Sequence, residues 1–128
     1  MFLRHTWPAL LWAVIVMVLC GLPGEQIPEL TFLEWLRPDK IVHLILFGVQ
    51  SYLLCLGLKR QSSYPSLASN AILLALMLSI VYGALIEFLQ DTIFIHRNGD
   101  VRDAIANAIG AVLGVWLYRR RASKGLIN

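Results

Sequence analysis

Three short motifs place ionisable and amide side chains where helix geometry lets them work together. In Asp39-Lys40-x-x-His43 a carboxylate and an imidazole stand four residues apart on one helix face, with a lysine beside them. A carboxylate so placed can orient a histidine, and histidine titrates in the range useful for acid–base chemistry. In Tyr82-Gly83-x-x-x-Glu87-x-x-Gln90, Gly83, Glu87 and Gln90 share a face, and Gly83 lets another backbone approach. Glu87 stands just inside an apolar run, where an acid costs several kcal/mol, roughly, unless it is paired or functional. In Asp100-x-x-Asp103-x-x-x-Asn107-x-x-Gly110-x-x-x-Gly114 the last four named residues form one stripe. Gly110 and Gly114 make a small-xxx-small surface for close helix packing, which carries Asp103 and Asn107 into the same bundle.

Each motif also has a purely structural reading. Asp39 can cap its own helix and His43 can hydrogen-bond within a bundle. Glu87 can pair with His43 or Arg97 merely to tie helices together. Asp103 and Asn107 can serve as interhelical hydrogen-bonding groups, worth about 1 kcal/mol each.

The elements that must position these groups are membrane spans. The chain has 128 residues, 58% of them hydrophobic and only 15% charged, with a mean hydropathy of +0.67. A soluble domain has a different balance. A helical span needs roughly 20 mostly apolar residues, and stretches at about 2–22, 41–58, 67–89 and 101–118 approach or meet that. Lipid offers no hydrogen-bond partner, so all of them must be helical. The expected fold is all-α: a single domain over residues 1–128, built as a four-helix transmembrane bundle. Between the first two helices, Ile27, Leu30, Leu33 and Leu36 recur among Glu25, Glu29 and Glu34. That spacing suits a short amphipathic helix on the interface, and a packed connector suits it equally.

Charge fixes the expected orientation. Arg4, Lys59, Arg60, Arg119, Arg120, Arg121 and Lys124 occupy the two ends and the middle loop without a single acid. By the positive-inside rule both termini are cytoplasmic. All the carboxylates then lie toward the other face, with Arg37, Lys40, Arg97 and Arg102 among them. The net charge of +3 therefore reflects topology, and nucleic acid is not an expected partner. Arg4 before an apolar run could open a signal peptide, but Met17, Val18 and Leu19 make a poor cleavage site, so an uncleaved first helix is expected. Cys20 and Cys55 fall near opposite membrane faces, too far apart to pair.

Taken in order, the three motifs and the intervening Arg97 resemble the VanZ-like family of small bacterial membrane proteins, over residues 39 to 114. The resemblance implies an integral protein of the bacterial envelope, in the inner membrane, whose best-known relative lowers sensitivity to the glycopeptide teicoplanin. It implies no settled reaction. The chain departs from the usual pattern at Ile95-His96, where a Pro-Gly pair often precedes the arginine, and at Asp100, where a small hydroxyl residue is common.

The residues and the resemblance converge on one outer-leaflet site. Glu87 and His43 are the candidate general acid and base, Asp39 or Asp103 the group that orients the histidine, and Lys40, Gln90, Arg97 and Asn107 the candidate binding groups. Gly83, Gly110 and Gly114 are assigned to helix packing. The expected ligand is a membrane lipid with an anionic head group, such as a lipid-linked envelope intermediate, with its chain left in lipid. The residues do not decide between catalysis and binding, and a non-catalytic membrane scaffold is the alternative. Carboxylates with His43 or His96 could hold a divalent ion, but no paired-histidine spacing is present, so no metal and no cofactor is expected. A transporter is disfavoured, because Gln50 and Ser79 alone reach mid-membrane. A reporter fused after Asn128 tests the orientation: it should be active only in a cytoplasm-folding format, and periplasmic activity would reject it.

Overall fold

The computed structural model describes residues 2–22, 38–94 and 99–127, and of Pro38 and Asp39 the backbone alone. The expected amphipathic segment and Arg97 fall outside the described residues. Among those described there are five helices and no strand: α1 Phe2–Gly21, α2 Pro38–Lys59, α3 Pro65–Ser69, α4 Ala71–Thr92 and α5 Val101–Ser123. All but α3 are long and apolar enough to cross a membrane, as the all-α reading requires.

The third span begins later than the apolar run does. Pro65 opens the one-turn α3, and α4 starts only at Ala71. Asn70 makes the break. Both its backbone N–H and its side-chain Nδ2 donate to the Ser66 carbonyl, at 3.3 and 2.9 Å. A carboxamide that bonds its own backbone in this way competes with continued helix. At the other extreme, α5 runs past the expected residue 118 to Ser123, with Arg120 and Arg121 in its last turn. Cations there interact favourably with the carbonyl end of the helix dipole.

The distribution of polarity is that of a protein solvated by lipid. Leu3, Trp7, Leu10, Val14 and Val18 of α1 and Leu73, Met77, Val81 and Phe88 of α4 are exposed, whereas Gln50, Ser51, Ser79 and Asn107 are buried. In water, an apolar surface this continuous would be an aggregation liability. Inside a bilayer it is the solvated face, and the buried polar groups bond across helices. The chain is built as a multi-pass membrane protein.

Because α1, α2, α4 and α5 cross in alternating directions, α2 and α5 run parallel, and so do α1 and α4. The α2–α5 pair is the closest in the bundle. A Cβ on Gly110 would meet the Leu44 carbonyl, and one on Gly114 would meet the Gly48 carbonyl and Ser51 Oγ. Ser51 Oγ, already in this contact, donates to the Ala111 carbonyl at 2.8 Å. The helix backbones touch because there is no side chain to keep them apart.

Helix α1 is attached through side chains that seek backbone carbonyls. Trp12 Nε1 donates to the Leu46 carbonyl at 2.9 Å, and the Tyr82 hydroxyl donates to that of Ala13. Gln61 Nε2 reaches the Phe2 carbonyl at 3.1 Å at one end, and Gln90 Nε2 reaches that of Cys20 at 3.0 Å at the other. Two apolar clusters fill the interior. Val16, Cys20, Leu46, Phe47 and Ile86 lie toward the α4–α5 turn, and Cys55, Leu58, Ala71, Ala75, Val115 and Tyr118 lie toward the opposite end. Cys20 and Cys55 thus sit apart, neither of them in a disulfide, in keeping with their predicted separation.

Replacing Gly114 with leucine tests the α2–α5 contact. The side chain would strike backbone, so the expected cost is at least about 2 kcal/mol, read as a fall of roughly 10 °C in the melting midpoint in detergent. Leucine at the exposed Val112 should leave the midpoint within a few degrees, roughly.

Candidate functional site

The glycine contacts set the register that builds the polar cluster. With Gly110 on Leu44 and Gly114 on Gly48, the same α5 stripe carries Asn107 and Asp103 back toward the start of α2. There Asn107 meets His43 and Asp103 meets Lys40. Helix α4 completes the arrangement from the opposite direction by presenting Glu87 from near its C-terminal end.

Gly83 is where α4 lies against the α2–α5 pair, and the atoms nearest to it belong to side chains of those two helices. The space that a Cβ would occupy is bounded by Asn107 Cβ and Nδ2 and by the Phe47 ring, at 3.0 to 3.3 Å. Gly83 therefore makes room for the asparagine that joins two of the candidate site residues.

That asparagine is the bridge of the network. Its Nδ2 donates to Glu87 Oε1 at 3.3 Å, which leaves Oδ1 as the acceptor facing His43 Nδ1 at 2.9 Å. His43 must then carry a proton on Nδ1, and in a neutral imidazole the lone pair resides on Nε2. Nε2 lies 3.9 Å from Asp103 Oδ2. Glu87 Oε1 is also 3.7 Å from His43 Nδ1, and its Oε2 accepts the backbone N–H of Asp100 at 3.1 Å. The histidine is thus oriented through Asn107, while Asp103 stands at the other side of the ring.

Lys40 closes the cluster toward the membrane surface. Its Nζ donates to Asp103 Oδ1 at 2.8 Å and to Asp100 Oδ2 at 3.4 Å. Side-chain exposure falls from 43% at Asp100 and 25% at Lys40 to 8% at Asp103 and 2% at His43. A rim with charged groups therefore leads to a floor made of His43 and Asn107. Asp100 and Asp103 share Lys40, whereas Glu87 faces His43 and Asn107.

Asp100 is the participant that motif reading missed. Its Oδ1 accepts the Arg102 backbone N–H at 2.8 Å and caps α5. That bond, with Lys40 adding to it, holds the Asp100 carboxyl below the usual carboxylate range. The available signal was its position, an aspartate directly before a helix. The lysine that it shares with Asp103 depends on α2, so local sequence could not have disclosed it.

Of the other predicted site residues, Gln90 is buried with its amide bonded to the Cys20 carbonyl of α1, which gives it a role in attaching that helix. The side chain of Asp39 and the whole of Arg97 lie outside the described residues. His43, Glu87 and Asp103 together have the donor atoms for a metal ion, one ligand atom from each lying within 4.8 Å of the others. Sequence spacing offered no sign of this, because the three come from three helices.

A family model described as VanZ/LLP1 matches residues 8–124 of the chain. No curated protein and no solved structure matches it. The match takes in α1 as well as the helices that build the polar cluster, and by it the chain belongs to the VanZ/LLP1 family.

Proposed function

We propose that this is a bacterial inner-membrane protein, with both termini in the cytoplasm, whose polar cluster at the outer face engages the anionic head group of an envelope lipid or lipid-linked intermediate. The observation that carries the reading is the buried His43–Asn107–Glu87 chain, which leads outward to Lys40 at the rim of an otherwise apolar bundle. Ionisable groups are rare inside membrane segments and cluster where they act.

In this reading Lys40 meets the head group first, and Arg97, which follows α4 in the sequence, is the second cation for the same charge. The hydrocarbon chain remains in lipid against the exposed apolar helix faces. Glu87 and His43 form the acid–base pair, coupled through Asn107 and separated by a distance that a small side-chain movement closes. Asp103 stabilises the imidazolium if Nε2 takes up a proton. Altered glycopeptide sensitivity would follow from engagement of an envelope precursor.

One observation favours a second reading, a scaffold with no chemistry. Both oxygens of Glu87 already accept hydrogen bonds, from Asn107 and from the Asp100 N–H. A carboxylate so satisfied can hold α4 to α5 and do nothing else.

Two substitutions test the proposal. Lys40→Gln should weaken retention of a polyprenyl phosphate, measured by native mass spectrometry, by about tenfold, the equivalent of roughly 1.4 kcal/mol. The uncharged polyprenol should bind parent and variant equally weakly. Glu87→Gln keeps the shape of the side chain and removes the ionisable acid. The expected result is a melting midpoint close to that of the parent, a loss of roughly 1 kcal/mol at most, together with loss of any teicoplanin-sensitivity phenotype that the parent confers. If stability and phenotype fall together, the scaffold reading is the correct one.

A further inference from the structure

We infer that His43, Glu87 and Asp103 form a binding site for one divalent transition-metal cation of the Mn2+ or Zn2+ type. As far as the head group is concerned, the inference rests on the function just proposed. As a cation site it stands on its own geometry.

Each of the three side chains is oriented by hydrogen bonds in the way that metal ligands are held. His43 donates from Nδ1 to Asn107 Oδ1, Asp103 accepts from Lys40 on Oδ1, and Glu87 accepts the Asp100 N–H on Oε2. Outer hydrogen bonds of this kind fix the tautomer and orientation of ligating histidines and carboxylates. Glu87 Oε1, which also accepts from Asn107 Nδ2, stands 3.7 Å from His43 Nδ1. Two ligands at about 2.1 Å from one ion are separated by roughly 3 to 4.2 Å, and His43 Nε2 is 3.9 Å from Asp103 Oδ2. That is too long for a hydrogen bond and fits a shared cation. The whole set, with one ligand atom within 4.8 Å of each of the others, needs less than about 1 Å of adjustment to reach those separations.

Charge points the same way. The two ligand carboxylates, Glu87 and Asp103, are nearly buried; Lys40 pairs with Asp103, and Asp100 at the rim has both Lys40 and Arg102 near it. Buried carboxylates require a counter-cation or neutralisation, and a divalent ion supplies that charge at Glu87 and Asp103. It would also resolve a conflict in the proposed function, since an anionic head group is otherwise repelled by three carboxylates at close range. The donor set selects the ion. One imidazole nitrogen with two carboxylate oxygens is softer than the all-oxygen sites of Mg2+ or Ca2+ and harder than the thiolate sites of Cu(I).

The test uses the full chain purified in detergent, stripped with chelator and titrated with Mn2+. Continuous-wave electron paramagnetic resonance should show one bound ion per chain, and pulsed measurements should show coupling to a single imidazole nitrogen. That coupling should vanish in His43→Gln and persist in His5→Gln and His96→Gln. Asp103→Asn should lower Mn2+ affinity at least tenfold, while Asp91→Asn, which removes a carboxylate near the end of α4 outside the ligand set, should change it less than threefold. Because the nitrogen coupling is read first on the parent protein, the inference does not depend on any variant folding. Absence of stoichiometric Mn2+ and Zn2+ binding by the parent, binding without nitrogen coupling, or coupling that survives in His43→Gln would each overturn it. Polyprenyl phosphate retained equally with and without chelator would overturn the cation's part in head-group binding and leave the head-group reading in place. Mn2+ bound with the expected coupling, but with no retention of the phosphate, would uphold the site and remove the head group.

Discussion

Where α5 lies along α2, glycine faces carbonyl twice: Gly110 on Leu44 and Gly114 on Gly48. Lipid supplies no hydrophobic drive for one helix to bury itself in another, so closeness has to come from backbone packing and polar contact. The Ser51 bond to the Ala111 carbonyl adds the polar contact at the same place. Two parallel helices locked at this separation have one rotation and one register available. That register sets Lys40 opposite Asp103 and His43 opposite Asn107, and a slip by a single residue would turn both α5 groups toward lipid.

The consequences extend to α4. Glu87 can meet Asn107 only if α4 lies close, and Gly83, one turn earlier, is where it does so. A larger residue at Gly83 would displace the asparagine or Phe47. The cluster is therefore conditional on three glycines that contribute nothing to its chemistry. Its own hydrogen bonds, worth about 1 kcal/mol each in a membrane, are too weak to impose the register, which is why the small-residue stripe and the polar stripe occupy the same face of α5.

Much of this was legible in the sequence, for a reason peculiar to membrane spans. Against an apolar background every polar residue is conspicuous, so the faces holding His43, Glu87, Asp103 and Asn107 could be read from spacing alone. The separation of Cys20 from Cys55 followed from span lengths. What spacing could not supply was the partner on another helix. Gln90 shares a face with Glu87 at helical period, yet its amide turns to the Cys20 carbonyl. Any residue type presents such a carbonyl, so no sequence signal marks it. The anchoring of α1 by Trp12 and Tyr82 was hidden in the same way. The break at Asn70 is local, but a single carboxamide within an apolar run is a faint sign that the helix will restart.

The depth profile of the bundle bears on how the cluster exchanges with its surroundings. Below the floor formed by His43 and Asn107, Phe47 and Ile86 are fully buried. Deeper still come Gln50 and Ser79, whose Oε1 and Oγ make no hydrogen bond among the described residues. Beyond them the packing of Cys55, Leu58, Ala71, Ala75, Val115 and Tyr118 is apolar. A conducting route needs polar groups or water through the full thickness, and two isolated polar side chains do not make one. The exposed side of the cluster is the one at Lys40 and Asp100. Among the described residues, then, apolar packing closes the cluster on one side, and exposure rises toward Lys40 and Asp100 on the other.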